Sequence, residues 1–228
     1  MSIFAIGDLH LSHVAEKPMD IFGGEWINHV RSVKENWISI VGEDDWIIIP
    51  GDISWALKSE ELAPDLDWLH NMPGKKVLVK GNHDLWWSSI TKLNLMYDDM
   101  FFLQNTSVDT GNRVICGSRG WICPGSNNFT VHDEKIYKRE LMRMRMSLDD
   151  GRKRGKKEII AAIHFPPTNE RLNESGFTNL FEEYGVKKVV YGHLHGYDAY
   201  ANGLQGVRNG VEYILVSCDY IKCKPVKL

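Results

Sequence analysis

The sequence is short of every feature that would take it into a membrane, a secretory route or a nucleic-acid groove. No stretch of its 228 residues approaches the roughly 20 apolar residues of a membrane span. The opening MSIFAIGDLH has no basic leader and only a brief apolar run, which reads against a signal peptide. A formal net charge of −3 gives no general attraction to nucleic acid or to an acidic surface. Cysteine is scarce. Cys116, Cys123, Cys218 and Cys223 form no Cys-x-x-Cys pair, so they read as small buried hydrophobes in a reducing compartment rather than as a zinc site. No internal repeat, low-complexity tract or Pro/Gly-rich linker divides the chain. These absences leave one globular domain over residues 1–228, expected in the cytoplasm, without membrane insertion or stable nucleic-acid binding. Composition leaves the oligomeric state open.

What is present is a recurring unit: a short apolar run, then at once a cluster of small, acidic and imidazole residues. Ile3–Ile6 leads into Gly-Asp-Leu-His at 7–10, and Trp46–Ile49 into Pro-Gly-Asp at 50–52. Val77–Val79 leads into Gly-Asn-His-Asp at 81–84, Ile159–Ile163 into His164, and Val189–Tyr191 into Gly-His-Leu-His at 192–195. Short Val/Ile-rich runs bounded by Gly or Pro read as buried strands. With Val114–Cys116 and Tyr213–Val216 they make about seven core strands. Helical spacing recurs between them, over 25–41, around Leu62, Leu66 and Leu69, over 88–97, and over 132–150 with Ile136, Met144 and Leu148 facing inward. Alternating strands and helices predict an α/β fold, in which ligands bind beyond the carboxyl ends of the strands. Every polar cluster sits at that end, which predicts a single site.

Asp8, His10, Asp52, Asn82, His164, His193 and His195 offer carboxylate, amide and imidazole donors without a thiolate. That mixture suits manganese, iron or zinc, with manganese favoured. Seven donors exceed what one tetrahedral zinc takes, and suit two ions sharing a carboxylate. Two dications, two aspartates and a hydroxide carry a net charge of about +1, which attracts an anion such as a phosphoryl group.

The ordered set Asp-x-His, Gly-Asp, Gly-Asn-His-Asp, His, Gly-His-x-His resembles the calcineurin-like metallophosphoesterase superfamily, and it spans residues 7–195. The motif set looks most like bacterial phosphohydrolases and class III cyclic-nucleotide phosphodiesterases. Bacterial UDP-diacylglucosamine hydrolases share the opening block but typically carry Arg where His83 stands, which argues against that substrate. The resemblance implies a double β-sheet sandwich flanked by helices, with a di-metal site at the C-terminal ends of the strands. It implies Asp8, His10 and His195 on one ion, Asn82, His164 and His193 on the other, and Asp52 between them. It also implies that a hydroxide bridging the ions attacks a small phosphomonoester or phosphodiester. Asn82 and His83 would meet the phosphoryl group, His83 as oxyanion or leaving-group donor, with Asp84 orienting the His83 ring. The competing expectation is a metal-binding interaction scaffold without catalysis; the complete ligand set and the presence of His83 argue for the enzyme.

Other features divide between site and surface. Arg119 follows another apolar run and is a candidate phosphate clamp, with Trp121 as a pocket wall. His13, three residues beyond His10, reads as an ordinary loop histidine more readily than as part of the pocket mouth. His29 and His70, on helical patterns, read as solvated, and Trp86 and Trp87 as packing for the metal loop. The basic run over 135–157 is interleaved with acids and reads as a solvated helix face rather than a nucleic-acid patch.

Overall fold

The computed structural model describes residues 1–155 and 157–228; Lys156, within the basic run, lies outside them. Among the described residues, eleven strands form two sheets. In chain order these are β1 Ile3–Ala5, β2 Trp46–Pro50, β3 Lys75–Val79, β4 Met100–Leu103, β5 Ser107–Asp109, β6 Arg113–Ser118, β7 Glu158–Ile163, β8 Lys188–Tyr191, β9 Gly206–Arg208, β10 Val211–Leu215 and β11 Val226–Lys227. The first sheet has the order β11-β1-β2-β3-β4 and the second β5-β6-β7-β8-β10-β9. Strands β1 to β4 run parallel, as do β6, β7, β8 and β10, while β5, β9 and β11 add antiparallel edges. Among the described residues six α-helices accompany them, besides two short 3-10 turns: α1 His29–Ile40, α2 Ser59–His70, α3 Ile90–Leu93, α4 Val131–Lys153, α5 Gly176–Glu183 and α6 Tyr197–Tyr200.

The side-chain alternation of a strand explains the layering. On β2, Trp46 and Ile48 face the second sheet, while Ile47 and Ile49 face α1 and α2. On β7, Ile160 and Ala162 point between the sheets, and Ile159, Ala161 and Ile163 point toward α4 and α5. Both faces of each strand are therefore apolar, which is why these runs read as continuous rather than alternating. The result is the expected sandwich, two sheets flanked by helices, in place of the open sheet that alternation alone would give.

Several boundaries differ from the sequence expectations. Strands β4, β5, β9 and β11 extend the two sheets past the seven core runs. The helix anticipated from residue 25 begins at His29, because Asn28 sits in the left-handed region (φ 54°) and breaks the spacing. Residues 88–97 hold one turn only, Ile90–Leu93. Helix α4 is longer than expected and buries Tyr137, Glu140, Met144, Leu148 and Gly151; Ile136 is only half-buried. Its start is secured by Thr130, whose side chain accepts from the Asp133 amide while Asp133 returns the bond. No helix among the described residues is long and apolar enough to cross a membrane.

Candidate metal centre

The parallel strands of both sheets end on the same edge of the sandwich, joined there by Gly7, whose amide donates to the Val216 carbonyl (2.7 Å). Asp8, His10, Asp52 and His193 all adopt positive φ values, between 45° and 73°. Such backbone costs a non-glycine residue about 1–3 kcal/mol and persists only where its surroundings enforce it. Here it turns each chain sharply off its strand, so that the side chain lies over the sheet end. Two glycines make room. A Cβ on Gly81 would collide with Asp52, and one on Gly192 with the Asp8 carboxylate.

The loops hold each other through carboxylates and amides. The His193 amide donates to Asp8 (3.0 Å) and the His83 amide to Asp52 (2.8 Å). One donor atom each from Asp8, His10 and His195 lies within 4.8 Å of the others, and the same holds for Asp8, Asp52 and His164. Asp52 Oδ2 stands 3.4 Å from His164 Nε2 and 3.9 Å from His10 Nε2. Asn82 Oδ1 is 2.8 Å from His164 Nε2 and 2.9 Å from His193 Nδ1. The structure thus brings all seven sequence-selected donors to one place.

Do these donors fit a cation? The Nδ1–H of His164 donates to the Pro50 carbonyl (2.9 Å), which turns Nε2 toward Asn82 Oδ1. At 2.8 Å that pair needs a positive charge between its atoms, either a proton on Nε2 or a metal ion. Donors at the cis corners of an octahedral ion, with bonds of about 2.1 Å, stand about 3.0 Å apart; His164 and His193 nitrogens are 3.3 Å apart. His10 Nδ1 and His195 Nε2 are buried without a hydrogen-bond partner. Charge agrees with this geometry. Burial alone would raise Asp8 and Asp52, yet the neighbouring imidazoles hold both below the usual carboxylate range. Against burial, these same carboxylates raise His164 to about 9 and His195 to about 10. Burial pushes His10 down to about 4 and His193 to about 3, so these two imidazoles stay neutral, as ligands must be. Buried acids recruiting positive charge, with neutral nitrogens beside them, are the electrostatics a candidate cation site requires.

Two residues that the sequence reading passed over support this cluster. Asp219 accepts from His195 Nδ1 (3.0 Å), from Tyr200 Oη (2.7 Å) and from the Gly196 amide (3.2 Å), which aims His195 Nε2 at Asp8. Asp219 lies just past β10, so the rule of a polar residue after an apolar run could have found it. His29, expected to be solvated, is buried, and its Nε2–H donates to the Leu9 carbonyl between Asp8 and His10 (2.9 Å). His70, by contrast, is exposed and pairs with Asp99 (2.8 Å).

Two expectations are corrected. Asp84 does not orient the His83 ring; its two oxygens accept the amides of Gly81 (2.7 Å), Ile53 (2.9 Å) and Ser54 (3.2 Å), which staples the Asp52 loop to the Asn82 loop. Arg119 does not clamp phosphate. Its guanidinium lies over Trp121 (4.5 Å) and against buried Glu140 (3.5 Å) of α4, lining a small separate cavity with Lys80 and Arg143. The side chain before a sharp turn follows the helix it packs on, which strand position alone does not reveal. His13 is turned away as well, its ring held by Asp65 at 2.7 Å. Trp86 and Trp87 are buried packing, as anticipated. His83 is exposed at the lip of the cluster, its ring 4.3 Å from the Trp55 ring and 5.7 Å from that of His10.

The family model for calcineurin-like phosphoesterases matches residues 1–197. The chain belongs to that family. Among curated proteins, the Gene 66 protein of Mycobacterium phage L5 is 34% identical over 77 residues, which cover 34% of this chain and 37% of that protein. The match thus spans little more than a third of that relative's length. Among solved structures, the phosphopantetheinyl hydrolase from Mycobacterium tuberculosis is similar with a TM-score of 0.60 and 19% identity, covering 100% of this chain and 95% of that one. Protein AQ665 from Aquifex aeolicus is similar with a TM-score of 0.53 and 16% identity, over 99% of this chain and 95% of the other. At these identities the structural likeness concerns the fold.

Proposed function

We propose that the chain is a single-domain metallophosphoesterase that hydrolyses small phosphomonoesters or phosphodiesters at a centre for two divalent ions. The observation that carries this reading is the convergence of seven oxygen and nitrogen donors, with two orphaned ring nitrogens among them, on family motifs. Asp8, His10 and His195 would hold one ion and Asn82, His164 and His193 the other, with Asp52 shared. Bound ions supply Lewis acidity toward phosphoryl oxygens and a water deprotonated near neutral pH, and the oxygen and nitrogen donors favour manganese.

The chain's own residues do the rest. Asp219 and Pro50 fix the tautomers of His195 and His164, so that each presents a lone pair inward. Asp84 keeps the two central loops in register. His83, outside both donor groups, faces the place a phosphoryl group would occupy and donates to its oxygen or to the departing one. Burial lowers His83 from the ordinary histidine value, which makes it a readier proton donor once protonated. Four free, buried cysteines accord with action in a reducing compartment such as the cytoplasm.

The test is turnover by chelated and then manganese-reconstituted protein with bis-aryl phosphate, aryl phosphate and cyclic nucleotides. Activity that appears with metal and disappears with chelator supports the reading. A blank across all phosphoesters with two ions bound would replace it with the scaffold.

A further inference from the structure

Beside the metal cluster lies a cavity of about 530 Å³ whose character differs from the centre itself. Its floor is His10, His83 and His195; its walls are Met19, Phe22, Trp26, Trp55 and Tyr200, with Glu25 at one side. Trp55 stacks on His10 (4.8 Å, 21° between planes) and donates to Met19 Sδ (3.3 Å). Trp26 meets His195 edge-on at 5.4 Å. The outer wall comes from two single-turn helices, Met19–Phe22 and Gly24–Trp26, hinged at Gly23 and Gly24 with positive φ. Among the described residues no lysine or arginine lines this cavity, although Lys17 Nζ stands 4.6 Å from the centre of the Trp55 ring, and Glu25 is an acid exposed on its wall. A second cavity on the His193 side holds only about 120 Å³, and His83 does not line it.

We propose that this aromatic cavity is the leaving-group pocket, and that it selects phosphoesters of a neutral, planar aromatic alcohol with no second anionic group. The inference rests on the phosphoesterase reading and deepens it. Three physical points carry it. His83 lines this cavity, so the oxygen it would protonate departs in this direction. Flat indole faces and a thioether favour ring systems over hydrated polyols. Finally, the Glu25 carboxylate on the wall penalises a second phosphate or carboxylate on the substrate by like-charge repulsion, the Lys17 ammonium being held over the Trp55 ring. In the reaction the P–O bond to the aromatic oxygen breaks. Water supplies the new oxygen of the released phosphate, and one proton of that water leaves on the alcohol.

The test uses manganese-reconstituted full-length protein with phenyl, 2-naphthyl and 4-carboxyphenyl phosphates, whose leaving oxygens have similar basicity. We expect 2-naphthyl phosphate to exceed phenyl phosphate by roughly 10-fold in kcat/KM, the worth of burying one further ring. The 4-carboxyphenyl ester should fall about 10-fold below phenyl, the scale of one unpaired like charge. Phe22 is 66% exposed, so Phe22→Ser threatens the pocket and not the fold. That variant should cut the naphthyl advantage to less than about 3-fold through KM. Glu25→Gln should narrow the penalty on the carboxyphenyl ester. Equal kcat/KM for all three esters in the unmodified protein, or preference for the anionic one, would overturn the proposal. Should no phosphoester turn over, the phosphoesterase reading fails. Quenching of tryptophan fluorescence by 2-naphthol then decides the pocket alone: binding weakened by Phe22→Ser supports it, and no binding overturns it.

Discussion

Replacing His83 by Ala removes an exposed imidazole outside both donor groups, whereas replacing Asp52 by Ala removes a carboxylate standing between His10 and His164. The two changes should therefore fail differently. For His83→Ala, kcat should drop about 10²-fold or more with metal content retained, as for a lost acid or oxyanion donor; turnover and elemental analysis on the same sample check this. Asp52→Ala should lose most of its metal, and two ions per chain in that variant would contradict a shared ligand. A subtler case is Asp219→Asn. The amide keeps the volume but weakens the hold on His195 Nδ1, so metal affinity should fall about 10- to 100-fold, measured by competition with a chelator. His195 is identifiable from its motif, but the residue that aims it is not. Asp219 lies 24 positions away and meets His195 only because β8 and β10 are neighbours in the second sheet.

At the scale of the element, the packing of α4 on β6 depends on one missing side chain. Gly151 brings the helix close enough that a Cβ there would stand 2.5 Å from Cys116 Sγ and 3.3 Å from Val114. Gly151→Ala should destabilise by about 1–3 kcal/mol through overpacking, despite the better helix propensity of Ala. Urea unfolding measures it, and Cys116→Ala in the same chain should recover most of the loss if the clash is the cause. The same helix explains why the phosphate clamp expected at Arg119 is absent. Glu140 is buried on the inward face of α4 and requires a cation, and Arg119 and Arg143 answer that need. A sequence window around residue 119 contains no trace of a carboxylate 21 positions further on.

The whole molecule gathers two buried carboxylates and four imidazoles at the seam between its sheets, so occupancy of the seam should stabilise the fold. Ligand binding to the native state alone adds about 2.7 kcal/mol at a free concentration 100-fold above Kd. For a chain of this size that corresponds to a rise of about 5–10 °C in Tm. Calorimetry of chelated and manganese-loaded protein should show this shift, and Asp52→Ala should show little of it. A Tm indifferent to metal in the unmodified protein would mean that the seam is balanced without cations.

The metal cluster was legible because its chemistry is local to each strand end. A buried parallel strand is a short apolar run, the turn after it needs glycine, and the residues beyond it point to a common edge; each of these is written within about ten positions. Asp8, His10, Asp52, Asn82, His164, His193 and His195 are therefore recognisable from sequence as side chains that converge, and the order of their motifs points to the family and the sandwich. What tertiary structure alone decided is which groups meet across the chain. Asp84 staples loops instead of steering His83, Arg119 answers a buried glutamate, and His29 leaves solvent to hold the Asp8–His10 turn. Trp26 and Trp55 come from separate segments to wall a cavity that neither one signals. Those outcomes depend on contacts between residues distant in sequence, where burial and unpaired charge, rather than local pattern, determine which partner a side chain takes.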